Sequence, residues 1–166
     1  AGGIDRTPTW SLCILTTGES PIVQSGAGAG AVNRVIDIEC RAAESVVQDG
    51  VSVSAAVKQH FGHAGKAFVE GLTPERIEAA KAYYTQQFRE LSTRDTTEKQ
   101  AMAAAAILTA DKLADEIVFH TGKCLTADEI AAFLQTKASV SAGERGYQYM
   151  CDWVAMNANK FEVERR

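Results

Sequence analysis

The spacing of apolar residues changes near residue 45 and divides the chain into a strand-like first part and a helical remainder. Residues 12–15 form a continuous apolar run, and residues 34–40 set Val and Ile against Asp and Glu. A continuous run is typical of a strand covered on both faces of a parallel sheet, and alternation is typical of a strand with one buried face. The pattern therefore predicts strands over 10–15 and 34–40.

Helices are predicted for most of residues 54–160, where Ala, Glu, Lys, Gln and Leu dominate. The predicted segments are 54–61, 63–72, a helix capped by Thr73 with Pro74 at its first position, a helix from Asp95 or Thr96 to about His120, and two helices opened by Thr126 and Ser141. Residues 101–110 are almost wholly apolar or small. We expect the helix that contains them to be the most buried one.

Local signals support the helix starts and suggest which sides of the helices face inward. Thr126 with Glu129, and Ser141 with Glu144, have the spacing of a capping box, in which two side chains satisfy backbone N–H groups reciprocally. In the helix after Thr73, the positions expected to face a core are Ile77, Tyr84, Phe88 and Leu91. In the last helix, one face is formed by Tyr147, Cys151, Val154 and Ala158.

The bulk composition is that of an ordinary globular protein. The chain has 166 residues, 46% of them apolar and 23% charged, which leaves room for one domain or a small domain with an appendage. A net charge of −4 argues against strong nucleic-acid binding by this chain alone, because such binding needs cationic contacts with phosphate. No apolar run reaches the about 18 residues of a membrane span, and no secretory signal is present. The cytoplasm is the predicted location.

The four cysteines are too scattered for a disulfide framework or a zinc site. They are Cys13, Cys40, Cys124 and Cys151. We interpret them as buried, reduced thiols of a cytosolic protein. His60 and His63 are separated by Gly62 and lack a third ligand, so they are interpreted as packed or solvent-facing side chains.

Polar side chains lie where the first predicted strand ends and where the second begins. They are Thr16, Thr17, Glu19, Asn33 and Arg34. Ligands of open α/β sheets bind at the carboxyl ends of strands, where hydroxyl and amide groups can orient water toward a γ-phosphate. An arginine nearby can neutralise the charge that develops in phosphoryl transfer. The alternative is a polar turn, with Arg34 paired to Asp37 or Glu39.

The glycine-rich segment 25–31 lies between the two predicted strands. It lacks both the Gly-x-x-x-x-Gly-Lys-Ser/Thr pattern and a Gly-x-Gly-x-x-Gly pattern that leads into a helix. No helix N-terminus would therefore face an anion there. We interpret the segment as a mobile connector rather than a phosphate cradle.

Several segments of the first 72 residues, taken together, are similar to segments of a known protein family. They are Thr7-Pro-Thr-Trp-Ser, the strand ending in Thr-Thr-Gly-Glu-Ser-Pro, the Gly/Ala loop, Asn-Arg-Val-Ile-Asp-Ile-Glu, and Gln59-His-Phe-Gly-His-Ala-Gly-Lys-Ala-Phe-Val. Together they resemble a family of phage- and plasmid-borne P-loop ATPases, described as helicase-like and long catalogued as a domain of unknown function. The later Gly143-Glu-Arg-Gly-Tyr-Gln-Tyr looks like part of the tail that follows the core in some members.

The resemblance implies a mainly helical α/β fragment, which supplies the last strands of a RecA/AAA-like P-loop core and then a helical C-terminal part. Residues 1–45 would be the partial core, 46–72 its helices and 73–166 the C-terminal part. The Walker A lysine and the acidic Walker B strand of the family would lie upstream of Ala1. This chain therefore looks like the C-terminal portion of a longer ATPase and should not hydrolyse ATP alone.

The resemblance also implies roles for the polar residues in an intact protein. Thr16 and Thr17 match a polar sensor at a strand end, and Arg34 matches a finger-like arginine. Glu19 is a weaker candidate for coupling nucleotide state to DNA, and Glu19 and Asn33 would lie at the nucleotide. ATP and Mg²⁺ would be the cofactors of the intact protein, with none expected in this fragment. Its partners would be the upstream part of the same ATPase, further copies in a homo-oligomer, and DNA.

Two other functional hypotheses follow from the residues alone. A self-contained helical protein-interaction module without catalysis is favoured by the long Ala-rich helix, the good caps and the lack of a complete active site. An independent enzyme would have to use His60, His63 and a carboxylate, and the sequence shows no closed set of such residues.

Overall fold

The computed structural model describes residue 9 and residues 12–24, 27–40 and 47–161, and every regular element in them is helical. In chain order the elements are α1 (Ala29–Val32), α2 (Gly50–Gln59), α3 (His63–Gly71), α4 (Pro74–Ser92), α5 (Glu98–Ala114), a π-helical turn (Asp115–Phe119), α6 (Ala127–Ala131), α7 (Lys137–Val140), α8 (Ala142–Met156) and a 3₁₀ turn (Ala158–Lys160). Helices α4 and α5 pack along each other, and α6 packs against both.

Side-chain caps start three helices at predicted places: Thr73 for α4, Thr126 for α6 and Ser141 for α8. Helix α5 is capped by Thr97 instead of starting at the predicted Asp95 or Thr96, and Thr136 caps α7, which was not predicted. Thr126 forms the predicted capping box, since its hydroxyl accepts from the Glu129 N–H and the Glu129 carboxylate accepts from the Thr126 N–H at 2.8 Å. Each cap satisfies an N–H group that the first turn of a helix leaves without a partner.

The core lies where α4, α5 and α6 meet, and small residues dominate it. Its buried members are Leu91, Ala101, Ala104, Ala105, Leu108 and Ile130. Helix α5 has more buried residues than any other described helix, which confirms the prediction for this helix. Its alanines leave room for α4, and the larger side chains fill the space that remains.

The predicted inner face of α4 is confirmed only at its C-terminal end. Leu91 is fully buried, and Tyr84 and Phe88 pack against the core with parallel rings whose centroids are 6.3 Å apart. Ile77, one turn into the helix, is exposed. The buried face of α4 therefore covers its C-terminal part and does not include Ile77, near the start of the helix.

Helix α3 is attached through Gly71. A Cβ atom at this position would overlap the Ile117 side chain of the π-helical turn, so the missing side chain permits close packing there. Arg76 Nη1 donates to the Gly71 carbonyl oxygen at 2.9 Å and fixes the bend between α3 and α4. This glycine is required by its neighbour rather than by its backbone angles.

The predicted α/β fold class is wrong for the described residues. Residues 12–15 and 34–40 contain no strand, so the expected RecA/AAA-like strands are not seen; residues 10 and 11 of the first lie outside the described part. Leu12, Ile14 and Leu15 are all exposed, Leu15 at 95%. A strand is stable only when it pairs with another and buries a face, and neither condition is met here.

The second predicted strand is held by a side chain instead of a sheet. Gln100 Nε2 donates to the Val35 carbonyl oxygen at 3.0 Å. In a sheet, this carbonyl oxygen would accept a hydrogen bond from a neighbouring strand. The glycine-rich segment before it, expected to be a mobile connector, contains α1; residues 25–26 lie outside the described residues. Residues 41–46, where the first domain boundary was predicted, also lie outside them, and the three-part division stays a prediction.

The predicted burial of the cysteines is also wrong. All four thiols are free and exposed. Cys13 and Cys40 lie in the two segments that were predicted to be strands. Because the described residues form no sheet, no second layer covers these two side chains. Cys151 lies on a helix that the core does not cover.

The core assignment predicts unequal effects for two neighbouring residues of α5. Leu108→Ala should lower the free energy of unfolding by about 2–5 kcal/mol, because it removes buried apolar contacts and leaves a cavity. Ile107→Ala, a similar truncation of an exposed side chain, should cost about 1 kcal/mol or less. Urea unfolding followed by circular dichroism measures both, and equal losses would contradict the assigned core.

Candidate functional site

No described side-chain hydrogen bond joins the residues predicted to form a nucleotide site, and the site stays a prediction. Thr16, Thr17 and Glu19 are exposed and form no side-chain hydrogen bond with another described residue. Asn33 Oδ1 accepts a short hydrogen bond from the Thr97 hydroxyl, which caps α5. Asn33 therefore ties its segment to the helical body.

Arg34 lies at the surface, as predicted, but it turns toward its own helix. Its Nη1 donates to the Gly30 carbonyl oxygen at 2.8 Å, which closes the end of α1. The alternative ion pair with Asp37 or Glu39 is not formed within the described part of the chain. The side chain thus makes a local contact, and the strand end it was expected to face is absent there.

A buried amide, not predicted from sequence, joins three parts of the chain. Gln100 is 1% exposed, and its Nε2 donates to the carbonyl oxygens of Val35 at 3.0 Å and Val32 at 3.4 Å. Its Oε1 accepts from the Gln135 N–H at 3.5 Å. All of its polar atoms are engaged with protein, so Gln100 organises the fold and offers nothing to a ligand.

The π-helical turn ends in a polar cluster around Asp115. One carboxylate oxygen accepts from the Thr121 N–H at 2.8 Å and from its hydroxyl at 2.6 Å, and the other accepts from the Gly122 N–H at 2.9 Å. Hydrogen bonds from Thr121 are the main cause of the lowered pKa of Asp115. His120 and Gly122 adopt positive φ angles of 52° and 68°, which turn the chain back onto the carboxylate. The cluster holds a loop and has no free acid or base.

The described residues offer little that would support nucleophilic catalysis or the binding of a metal ion. Partial burial, aided by the charges of Asp115 and Asp111, raises the pKa of the Cys124 thiol, which reduces its thiolate fraction at neutral pH. His60 and His63 are exposed. The described residues hold no group of three or more His, Cys, Asp or Glu side chains arranged to bind a metal ion.

An apolar groove of about 430 Å³ runs between α4 and α5. Its lining residues are Leu72, Ile77, Ala80, Lys81, Tyr84, Thr85, Thr109 and Leu113. The two threonine hydroxyls donate to backbone carbonyls of their own helices, and Lys81 pairs with Glu78 at 2.6 Å. These three polar groups of the groove are therefore committed to the protein.

Helix α8 presents a set of aromatic and methionine side chains that the described chain leaves uncovered. The exposed members are Tyr147, Tyr149, Met150, Trp153, Val154, Met156 and, after the helix, Phe161. Phe161 packs edge-on against Trp153 at a centroid distance of 5.9 Å, and Lys160 Nζ lies 5.9 Å from the same ring. Together they border a shallow groove of about 380 Å³. Exposed apolar patches of this kind mark interaction sites.

The predicted face of α8 overlaps the groove at one residue. Of Tyr147, Cys151, Val154 and Ala158, Val154 lines the groove, whereas Met150 and Trp153, which also line it, were not part of the predicted face. Their spacing of three was readable from the sequence. Their lack of cover was not, because it depends on where the other helices pack.

Comparison with known proteins leaves the sequence-based resemblance as a prediction. No protein-family model, curated protein or solved structure matches this chain. Within the described residues, every helix is too short or too polar to cross a membrane.

The Asp115 cluster predicts a specific dependence of stability on pH. Because folding lowers the Asp115 pKa, its contribution is complete above the unfolded value of about 3.9 and is lost as pH falls through the folded value. Asp115→Asn should therefore be less stable than the native chain near neutral pH, and the difference should shrink in acid. Urea unfolding at several pH values tests this, with the exposed Glu39→Gln as control. A difference independent of pH would contradict the assignment.

Nucleotide titration tests the predicted ATP contacts directly. This chain should give no saturable calorimetric signal with micromolar Mg-ATP, because the phosphate-binding backbone loop and lysine of P-loop proteins are absent from its sequence. Lys58→Ala serves as a control for unspecific charge effects. Micromolar binding that Arg34→Ala removes and Lys58→Ala preserves would contradict the expectation and restore the predicted nucleotide site.

Proposed function

We propose that this chain is a helical protein-interaction module that binds its partner through the exposed face of α8 and performs no catalysis itself. The observation that carries the proposal is the position of Trp153. Its ring borders an open groove together with Tyr149, Met150 and Phe161, while the buried core lies elsewhere, between α4, α5 and α6.

The side-chain types on α8 support a protein as partner. Trp, Tyr, Phe and Met are enriched in the centres of protein interfaces, where the aromatic residues combine large apolar area with few rotatable bonds and Met adapts its shape to the partner. Helix α8 contacts α7 at its start, whereas the side chains beyond Gly146 remain largely exposed. The face is therefore dispensable for the core and available to another surface.

The engagement of the polar groups supports a role without chemistry. Asp115, Gln100 and Asn33 each satisfy a neighbouring backbone or hydroxyl group. Thr17 and Arg34 do not share a site in the described residues. Within this part of the chain, no nucleophile, base and orienting group stand together as an active site requires.

The helicase-like P-loop ATPase, with ATP, Mg²⁺ and DNA as ligands of a longer protein, stays a prediction from sequence. The contacts of Thr16, Thr17, Glu19 and Arg34 give it no support. Cytoplasmic location is retained as part of the proposal, and the four exposed free thiols are in keeping with a reducing compartment.

Truncation of the α8 face tests whether it serves binding or folding. Met150→Ser should change the free energy of unfolding by about 1 kcal/mol or less, because the side chain is 65% exposed. Leu91→Ala, the matched core truncation, should cost about 2–5 kcal/mol. Binding of an apolar fluorescent dye to the folded chain should fall with Met150→Ser. A loss of stability equal to that of Leu91→Ala would show that the face belongs to the core and would overturn the proposal.

A further inference from the structure

We infer that the occupant of the α8 face is α8 of a second copy of this chain, packed antiparallel; the inference rests on the proposed interaction function. Gly143, Gly146, Met150 and Trp153 recur at spacings of three and four, the spacing that forms a continuous seam between paired helices. All four are exposed. The helix thus has the seam of a two-helix interface without a second helix in the described chain to occupy it.

The two halves of this seam are complementary to each other. Its first half consists of two glycines, and its second half consists of a methionine and a tryptophan. In an antiparallel pair the first half of one helix faces the second half of the other. Trp153 then lies over Gly143 of the second copy and Met150 over Gly146, where the missing side chains leave room for both. A two-fold axis repeats the same contact, as an isologous interface requires.

The glycines have no explanation within the chain. A Cβ atom at Gly146 would meet nothing within 4 Å, and one at Gly143 would meet only the Ser141 hydroxyl at 3.8 Å. Glycine inside a helix costs about 1 kcal/mol relative to alanine. A second copy accounts for both residues, because the seam has to admit a large ring from the opposite helix.

Charge also favours a second copy over a charged partner. Each chain has a net charge of −4, so two copies repel each other unless their contact face is neutral. The seam is flanked by Tyr147 and Val154 on one side and by Tyr149 and Met156 on the other, and none of these is charged. The charged residues of α8 (Glu144, Arg145 and Asp152) fall on the opposite side at 100° per residue.

The exposed area is sufficient for a stable pair. Large side chains bury about 150–250 Å² each when fully covered. With exposures of 44–84%, the seven apolar side chains from Tyr147 to Phe161 offer at most roughly 650–1,050 Å² per copy, a range that includes the about 800 Å² per partner of a standard interface.

Exchanging the large and small residues of the seam tests this arrangement. Gly143→Phe fills the space opposite Trp153, and Trp153→Ala removes the ring that occupies it. Each single variant should weaken the dimer at least about tenfold, and the double variant should regain at least about tenfold over the weaker single one, because ring and space have changed places. Sedimentation equilibrium of the full chain across micromolar concentrations measures the dimer, and circular dichroism checks the fold.

Ala155→Phe is the matched control, since it adds the same ring on the opposite side of α8 and should leave the dimer unchanged. A native chain that stays monomeric at every concentration would overturn the inference. So would a dimer that neither seam variant weakens, or a double variant that regains nothing. These outcomes are read from the association of two copies. The proposed interaction function is tested separately, by the free energy of unfolding of Met150→Ser, so the failure of one can be told from the failure of the other.

Discussion

Close contact between α4 and α5 is the constraint on which the rest of the described structure depends. Ala101, Ala104 and Ala105 are fully buried and present only methyl groups, so the backbone of α4 can lie near that of α5. Leu91 and Leu108 fill what remains. With so few large buried side chains, this contact contributes most of the apolar burial in the described residues. Helix α6 packs directly on the pair, and α3 packs on the π-helical turn that follows α5.

The helical part was largely predictable because its signals are local. Thr73, Thr126 and Ser141 cap helices through groups three residues away, and the apolar centre of α5 marks its burial within a single segment. The strands were not predictable in the same way. Residues 12–15 and 34–40 have strand-like composition, but a strand is stabilised by a distant partner, and local sequence does not reveal whether that partner exists.

In the candidate sites, too, local sequence predicts some features, whereas others depend on how distant parts of the chain pack. Thr16, Thr17 and Arg34 were grouped because strand ends converge in a sheet, and the described residues form no sheet that would bring them together. The residue types on α8 were visible in the sequence, but the lack of cover over Met150 and Trp153 depends on every other helix packing elsewhere. Sequence therefore indicates which residues are able to bind, and only the fold shows which of them remain free.

The buried amide of Gln100 has a consequence for the order of folding. Its partners Val32 and Gln135 are 68 and 35 positions away, so it closes two long loops, whereas the α4–α5 pair is formed by neighbouring segments. Long loops are slow to close because their ends must first meet by diffusion at an entropic cost. The helical hairpin is thus the natural nucleus, and the segment around Val32 docks late. Before that segment docks, water satisfies the Gln100 amide, so docking exchanges its hydrogen bonds with water for those with Val32 and Val35.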